Sequence, residues 1–315
     1  MKYISVNDAA AAWGVKDYQI RKYCRAGRIP GAILEDKVWK IPATAEKPSR
    51  KESADQDITP LFPLAKTLVR QMKKRSFHGL YDYVQVNFAY SSGRLASVRL
   101  TRDCTWDIYT KGKVKVGFEP MKVSDLIETL NHCHTLQYIL KNINEPLSEK
   151  LIKEIHRRLT AGTVDERNEK VIAGEYRSLN TKQEWHEKLN AAEISKRLRD
   201  LIVTYELIPE KERRQLLDFH VRFERLAQFD DFNGRVGRLI MFKECLRHNI
   251  TPFILDDKRR ALYLDGIREW DNDTSILSDV VMDCQLRFES QIELQKLREH
   301  SVLLETTKWE GYDDE

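Results

Sequence analysis

The sequence predicts a mainly α protein in two parts, a small basic module that closes on a short hairpin and a much larger helical domain. Three observations carry this. From Leu61 onward, apolar residues recur at i, i+3 and i+4 through ten successive segments. A polar, proline-bounded stretch over 47–60 separates them from what precedes. The positive charge is also uneven: residues 1–51 hold 11 Lys or Arg against 5 Asp or Glu, which leaves the rest of this +4 chain slightly acidic.

Taken in order, Ser5 or Asn7 can cap a first helix through Ala12, and Gly14 breaks it after Trp13. A second helix over 17–26 places Ile20, Tyr23 and Cys24 on one face and Arg21, Lys22 and Arg25 elsewhere, before Gly27 ends it. Residues 32–41 alternate like a hairpin, with Glu35-Asp36 as the turn. The divisions expected are 1–48, a linker over 49–60, and 61–315. In the large part, helices are expected at 63–75, 79–92, 101–111, 122–143, 147–160, 190–206, 211–227, 236–248, 258–270 and 278–305. The last serves packing or a dimer contact. Gly174-Glu-Tyr-Arg-Ser-Leu179 and its approach read as a short hairpin or flap. No strand–helix alternation supports a parallel sheet.

Composition excludes several classes. No apolar run approaches the roughly 18 residues of a membrane span, and MKYISVNDAA has no signal-peptide pattern, so a cytoplasmic protein with no membrane partner is expected. The five cysteines are scattered and never form C-x-x-C, which argues against a disulfide framework or a zinc ribbon. His132 and His134 flank Cys133 on different helix faces and do not make a metal site. His220 reads as a packed core histidine.

The chemically informative stretch runs from His220 to His248. An apolar helix with Leu216, Leu217, Phe219 and Phe223 ends at Ala227, a loop Asp230-Asp-Phe-Asn-Gly234 follows, and a new helix starts near Arg235. A helix start preceded by Asn-Gly offers free N–H groups and a positive dipole end to a phosphate. Arg235 and Arg238, at i and i+3, project on one side of the first turn, where each can grip phosphate oxygens. Asp231 can approach a divalent cation bridging them. The spacing suggests an anionic ligand such as a nucleotide with magnesium.

Two resemblances extend this. Residues Ile4-Ser-Val-Asn-Asp-Ala-Ala10, Gly14-Val15, Arg21-Lys-Tyr-Cys24, Gly27-Arg-Ile-Pro-Gly31 and Trp39-Lys-Ile-Pro42 resemble the excisionase or MerR-like winged helix-turn-helix class. That resemblance implies DNA contacts by Arg21, Lys22, Arg25 and Arg28, with a dimer needed for useful affinity. Phe229, Asp231, Asn233, Gly234, Arg235 and Arg238 resemble the Fic (Fido) motif HxFx(D/E)GNGRxxR. The likeness runs over most of 77–290, including Gly79-Leu-Tyr81, Phe88-Ala-Tyr-Ser-Ser92, Asp125–Asn131, Ala173–Arg177 and Pro252-Phe-Ile254.

The Fic resemblance implies a helical bundle with a β-hairpin flap, AMP transfer from ATP with Mg2+ to a hydroxyl of a target protein, and nucleotide binding by Asn233, Gly234, Arg235 and Arg238 with Asp231 at the metal. It also assigns Gly174, Glu175 and Arg177 to a flap that aligns the target. The departures are chemical. Ala227 stands where the family has its histidine base, Gln228 replaces Pro, and Phe232 replaces a Gly that permits positive φ. A region over 88–97 resembles the S-x-x-x-E-G inhibitory motif, with Ser92 retained and Ala96 at the Glu position, which leaves Arg238 without that carboxylate. The paired alanines favour a double substitution made to trap nucleotide, whereas Gln228, Phe232 and Ser97, which such a design does not require, favour a natural pseudoenzyme. The other reading of the chain is a DNA-binding regulator that uses an altered Fic domain as sensor or dimerisation body.

Overall fold

The computed structural model describes residues 3–25, 29–35, 38–47, 61–74, 78–114, 122–177 and 189–309. The chain divides into two compact units, residues 1–59 and 60–315.

In the first unit, β1 (Tyr3–Ile4) leads into α1 (Val6–Trp13), followed by α2 (Asp17–Arg25), β2 (Ile33–Glu35) and β3 (Val38–Pro42). Ser5 is the residue that caps α1, in a reciprocal box with Asp8 whose two N–H bonds are each 3.2 Å. The sheet order is β1-β3-β2, antiparallel throughout, with Ile4 opposite Ile41 and Leu34 opposite Trp39. Pairing of Tyr3 and Ile4 with the hairpin was not legible in the sequence, because two residues carry no periodicity. Val6, Ala9, Ala10, Ile20, Cys24, Ile29 and Ile41 form this unit's own core. Of the basic residues assigned to DNA, Arg21 is exposed and lies 3.7 Å from Asp17, Lys22 and Arg25 fall within α2, and Arg28 lies outside the described residues, as do Gly27 and Asp36.

The second unit is helical. Its elements are α3 (Pro63–Lys74), α4 (Leu80–Leu95), α5 (Arg102–Lys111), α6 (Val123–Lys141), α7 (Glu149–Thr160), α8 (Val164–Arg167), α9 (Ala191–Glu206), α10 (Arg213–Leu226), α11 (Asn233–Arg247), α12 (Arg260–Glu269) and α13 (Ser275–Trp309), with a 3-10 turn at Asp257–Arg259. Side chains of Thr101, Ser148, Thr163 and Asn190 accept from first-turn N–H groups and so set four of the helix starts. α11 is buried at every position from Arg235 to Leu246, as expected of a helix enclosed by others. α4, α6, α7 and α10 all pack on it. Gly237 leaves room for the Glu224 carboxylate of α10, which a Cβ there would overlap.

The ten expected helices are present, with α11 beginning three residues earlier than the periodicity suggested and α8 unanticipated. Residues 171–177 of the expected flap form a turn, closed by Glu175 N–H donating to the Ile172 carbonyl at 3.1 Å, with no strand among the described residues. The remainder of the flap, 178–188, lies outside them. No helix is long and apolar enough to cross a membrane among the described residues, and all five cysteines are free thiols.

Candidate functional site

α10 stops at Leu226 because Ala227 turns into the left-handed region, at φ 45° and ψ 59°. The loop that follows is closed by Asn233, which donates from Nδ2 to the Phe229 carbonyl at 2.7 Å and accepts Phe229 N–H on Oδ1 at 2.9 Å. Asn233, assigned to nucleotide from the sequence, thus spends both amide atoms as the clasp of the loop. Phe232 caps α11 at φ 65°, a left-handed conformation that favours glycine. Its ring turns inward and is buried, edge-on to His156 at 6.2 Å and 3.4 Å beneath the Arg235 guanidinium. Phe229 stacks flat on His156, 3.9 Å between centroids.

The two motif arginines part company. Arg235 forms an ion pair with Glu128 of α6 at 2.5 Å and lies 3.8 Å from Asp231. Arg238 donates to Ser92 of α4, from Nε to Oγ at 3.2 Å and from Nη2 to Oγ at 3.0 Å and to the carbonyl at 3.2 Å. Residues three apart on a helix differ by about 60° in direction, and on a helix enclosed all round each arginine finds a different neighbour while both still line one cavity. Arg238 pairs with no carboxylate among the described ion pairs; Ser92 holds it instead.

Arg177 is fully buried. It donates from Nε to the Ala227 carbonyl at 2.6 Å and from Nη1 to the Leu189 carbonyl at 3.0 Å, while its N–H donates to the Gln228 carbonyl at 3.0 Å. This flap arginine braces the left-handed Ala227. Gly174, at φ 79°, donates its N–H to His156 Nδ1 at 2.9 Å, and Glu175 pairs with Lys153 at 3.3 Å on the surface.

These elements enclose a cavity of about 570 Å³. Ala96, Ala227, Asp231, Asn233, Gly234, Arg235, Arg238 and Arg177 all line it, whereas Ser92 touches it only through Arg238, and Gly174 and Glu175 lie outside the lining. Three further side chains belong to the site and escaped the sequence reading. Glu224 of α10 lines the cavity and is buried; Tyr263 of α12 lines it as well and meets His220 Nε2 at 2.5 Å; Arg260 enters from the same helix. Burial pushes the Glu224 carboxyl up to about 7 against the pull of Arg238. Burial, then Arg238, holds His220 down to about 3, so the imidazole is neutral. Burial likewise raises Glu128 in spite of Arg235. The available signal for Glu224 was a carboxylate interrupting an apolar stripe at i+4 from His220.

Residues 146–245 match the model of the Fic/DOC family, a segment that contains α7, α9, α10, the loop and most of α11. The chain carries a Fic domain. Solved structures share its fold. A Fic domain containing signaling protein from Bacteroides thetaiotaomicron is 20% identical with a TM-score of 0.59, covering 76% of this chain and 93% of that one. Fic-1 (aa134–508) from C. elegans is 17% identical with a TM-score of 0.56, covering 74% of this chain and 69% of that one. A Fic family protein from Desulfovibrio desulfuricans G20 is 19% identical with a TM-score of 0.52, covering 76% of each. No curated protein matches the chain. Against the Fic motif, Ala227 is the conspicuous departure in this chain.

Proposed function

We propose that this Fic domain belongs to the AMP-transferase class, binds ATP, and is impaired in transfer because it lacks a base. The observation that carries the reading is the lining of one cavity by Gly234, Arg238 and Asp231 together with the Ala227 methyl. A polyphosphate would rest on the free N–H groups and positive dipole end of α11, with Arg238 as its guanidinium partner. Arg235 would act at one remove, holding the loop against Glu128. Among the described residues no group of three or more His, Cys, Asp or Glu is disposed to hold a metal alone. Asp231 is exposed at the cavity and offers hard oxygen, which fits a magnesium ion that draws its other ligands from phosphate and water. When bound, magnesium would neutralise phosphate charge.

Transfer requires that the target hydroxyl lose its proton as its oxygen attacks phosphorus, and a methyl group accepts none. Loss of a positioned base costs about 10²–10⁴ in rate. Calorimetry with ATP and magnesium is expected to show binding, an assay with ATP labelled on the α-phosphate to show background transfer, and Ala227→His to raise transfer by about 10²-fold or more. Efficient transfer by the unaltered chain would overturn the base argument.

A second reading, a DNA-binding regulator, draws on the first unit. It has a core of its own, an exposed Arg21 and most of the chain's excess positive charge. Gel shifts with this chain are then expected to weaken steeply with salt, since phosphate contacts release counterions. Absence of a shift at low salt removes this reading.

A further inference from the structure

Four carboxylates line the cavity among the described residues, and Glu224 alone of them is buried, at 8% exposure. Its Oε1 has no hydrogen-bond partner. The group lies against the first turns of α11: Oε2 is 3.7 Å, and Arg238 Nη1 2.9 Å, from the point where a Cβ at Gly234 would stand, and Oε1 crowds the same point at Gly237. A carboxylate and a guanidinium thus flank the helix start that a phosphate would occupy.

The neighbours do not settle its charge. On α10 itself, His220 Nε2 is 3.9 Å from Oε1, but that nitrogen is engaged with the Tyr263 hydroxyl and the imidazole is neutral. From α11 comes the cation Arg238, and from α12 come Tyr263 and Arg260, the latter donating from Nε to the Leu95 carbonyl at 3.4 Å. From the C-terminal end of α4 come Leu95 and its capping residue Ala96, which line the cavity, with Ser92 behind Arg238, none of them ionisable. An ionised Glu224 would compete with an incoming phosphate for Arg238 and repel it at short range. A protonated Glu224 would instead donate an O–H to a phosphate oxygen.

We propose that Glu224 makes ligand binding in this cavity proton-linked: a polyphosphate seated against Arg238 and the first turn of α11 binds the form in which the Glu224 carboxyl is protonated. Burial, which raises this carboxyl to about 7, places the linkage in the neutral range. The proposal rests on the nucleotide-binding reading above. Above neutrality each ligand bound takes up nearly one proton, and affinity falls about tenfold per pH unit; well below it, affinity is flat.

The test is calorimetry on the full chain from pH 6 to 8.5, in buffers of differing ionisation enthalpy, with two probes, magnesium ATP and magnesium tripolyphosphate. Glu224→Gln is titrated in parallel and subtracts any proton the ligand itself exchanges. The expected result is uptake approaching one proton per ligand at pH 8 in the unaltered chain, and no uptake with pH-independent affinity in Glu224→Gln. Binding without uptake, or the same pH dependence in the variant, overturns the proposal while leaving nucleotide binding intact. Proton-linked binding of tripolyphosphate alone upholds the role of Glu224 and removes the nucleotide reading. Failure of both probes at every pH overturns both. Should the variant not fold, proton uptake by the unaltered chain still decides.

Discussion

Phe232 sets two opposed terms against each other. A non-glycine residue at φ 65° costs about 1–2 kcal/mol relative to right-handed backbone, and a glycine would avoid this. The Phe232 ring, however, is 2% exposed, edge-on to His156 and under the Arg235 guanidinium, and removing a buried Phe side chain costs about 3–5 kcal/mol. Packing wins. Phe232→Gly, although it restores the motif, is expected to lose about 2–3 kcal/mol in urea unfolding once relief of strain is subtracted. Phe232→Ala, which keeps the strain and loses the ring, should be the less stable of the two variants. A glycine variant more stable than the original chain would mean that the loop has no use for the ring. In the sequence, Phe232 stands where a residue that permits positive φ is expected. The strain is present and the ring faces inward, a direction fixed by His156 from a distant helix and so invisible to local spacing.

At the scale of elements, what the sequence disclosed follows from which interactions are local. Capping and periodicity are local, and the ten expected helices stand within a few residues of their places, Ser5 and Gly14 bounding α1 as read. Elements too short to show a period, β1 and α8, were not legible. The loop between α10 and α11 was read as a phosphate seat from its residue types, and most of those residues do line one cavity. Their partners were not readable. Arg235 and Arg238 diverge because α6 offers Glu128 and α4 offers Ser92, facts of tertiary packing that helix spacing does not contain. Glu224 was overlooked for the converse reason: on an otherwise apolar face it reads as the exposed edge of the stripe, and only Gly237 of the facing helix shows that the chain makes room for it. The arginine of the flap, assigned to alignment of a target, has its guanidinium on the Ala227 and Leu189 carbonyls, contacts that no local spacing discloses.

Across the whole helical unit, buried titratable groups set a response to acid. His132, His156 and His220 are each held down to about 3, chiefly by burial. A base whose folded pKa is depressed below its unfolded value of about 6.5 leaves the folded state binding fewer protons, so its contribution is lost as pH falls through the window from 6.5 toward 3. At pH 5 the loss is about 2 kcal/mol for each histidine. Glu224 acts in the opposite sense. Its folded pKa is raised, so protonation favours the folded form, and between pH 7 and 5 it returns roughly 2–3 kcal/mol. Glu244, lowered to about 2 by His248, Lys243 and Arg247 against its own burial, adds stability above its ordinary range that acid removes. Three histidines outweigh Glu224, and Glu128, whose carboxyl burial also raises, offsets part of the remainder, so net stability should fall by up to roughly 3–4 kcal/mol from pH 7 to 5, against the 5–15 kcal/mol typical of a folded domain. Urea midpoints followed by circular dichroism are expected to drop over that interval and helical structure to be lost between about pH 4 and 5. His132→Gln, which removes one buried base whose ring nitrogens both lack hydrogen-bond partners, should flatten the fall. A midpoint that rises from pH 7 to 5 would show Glu224 to be the dominant titrating group of the unit.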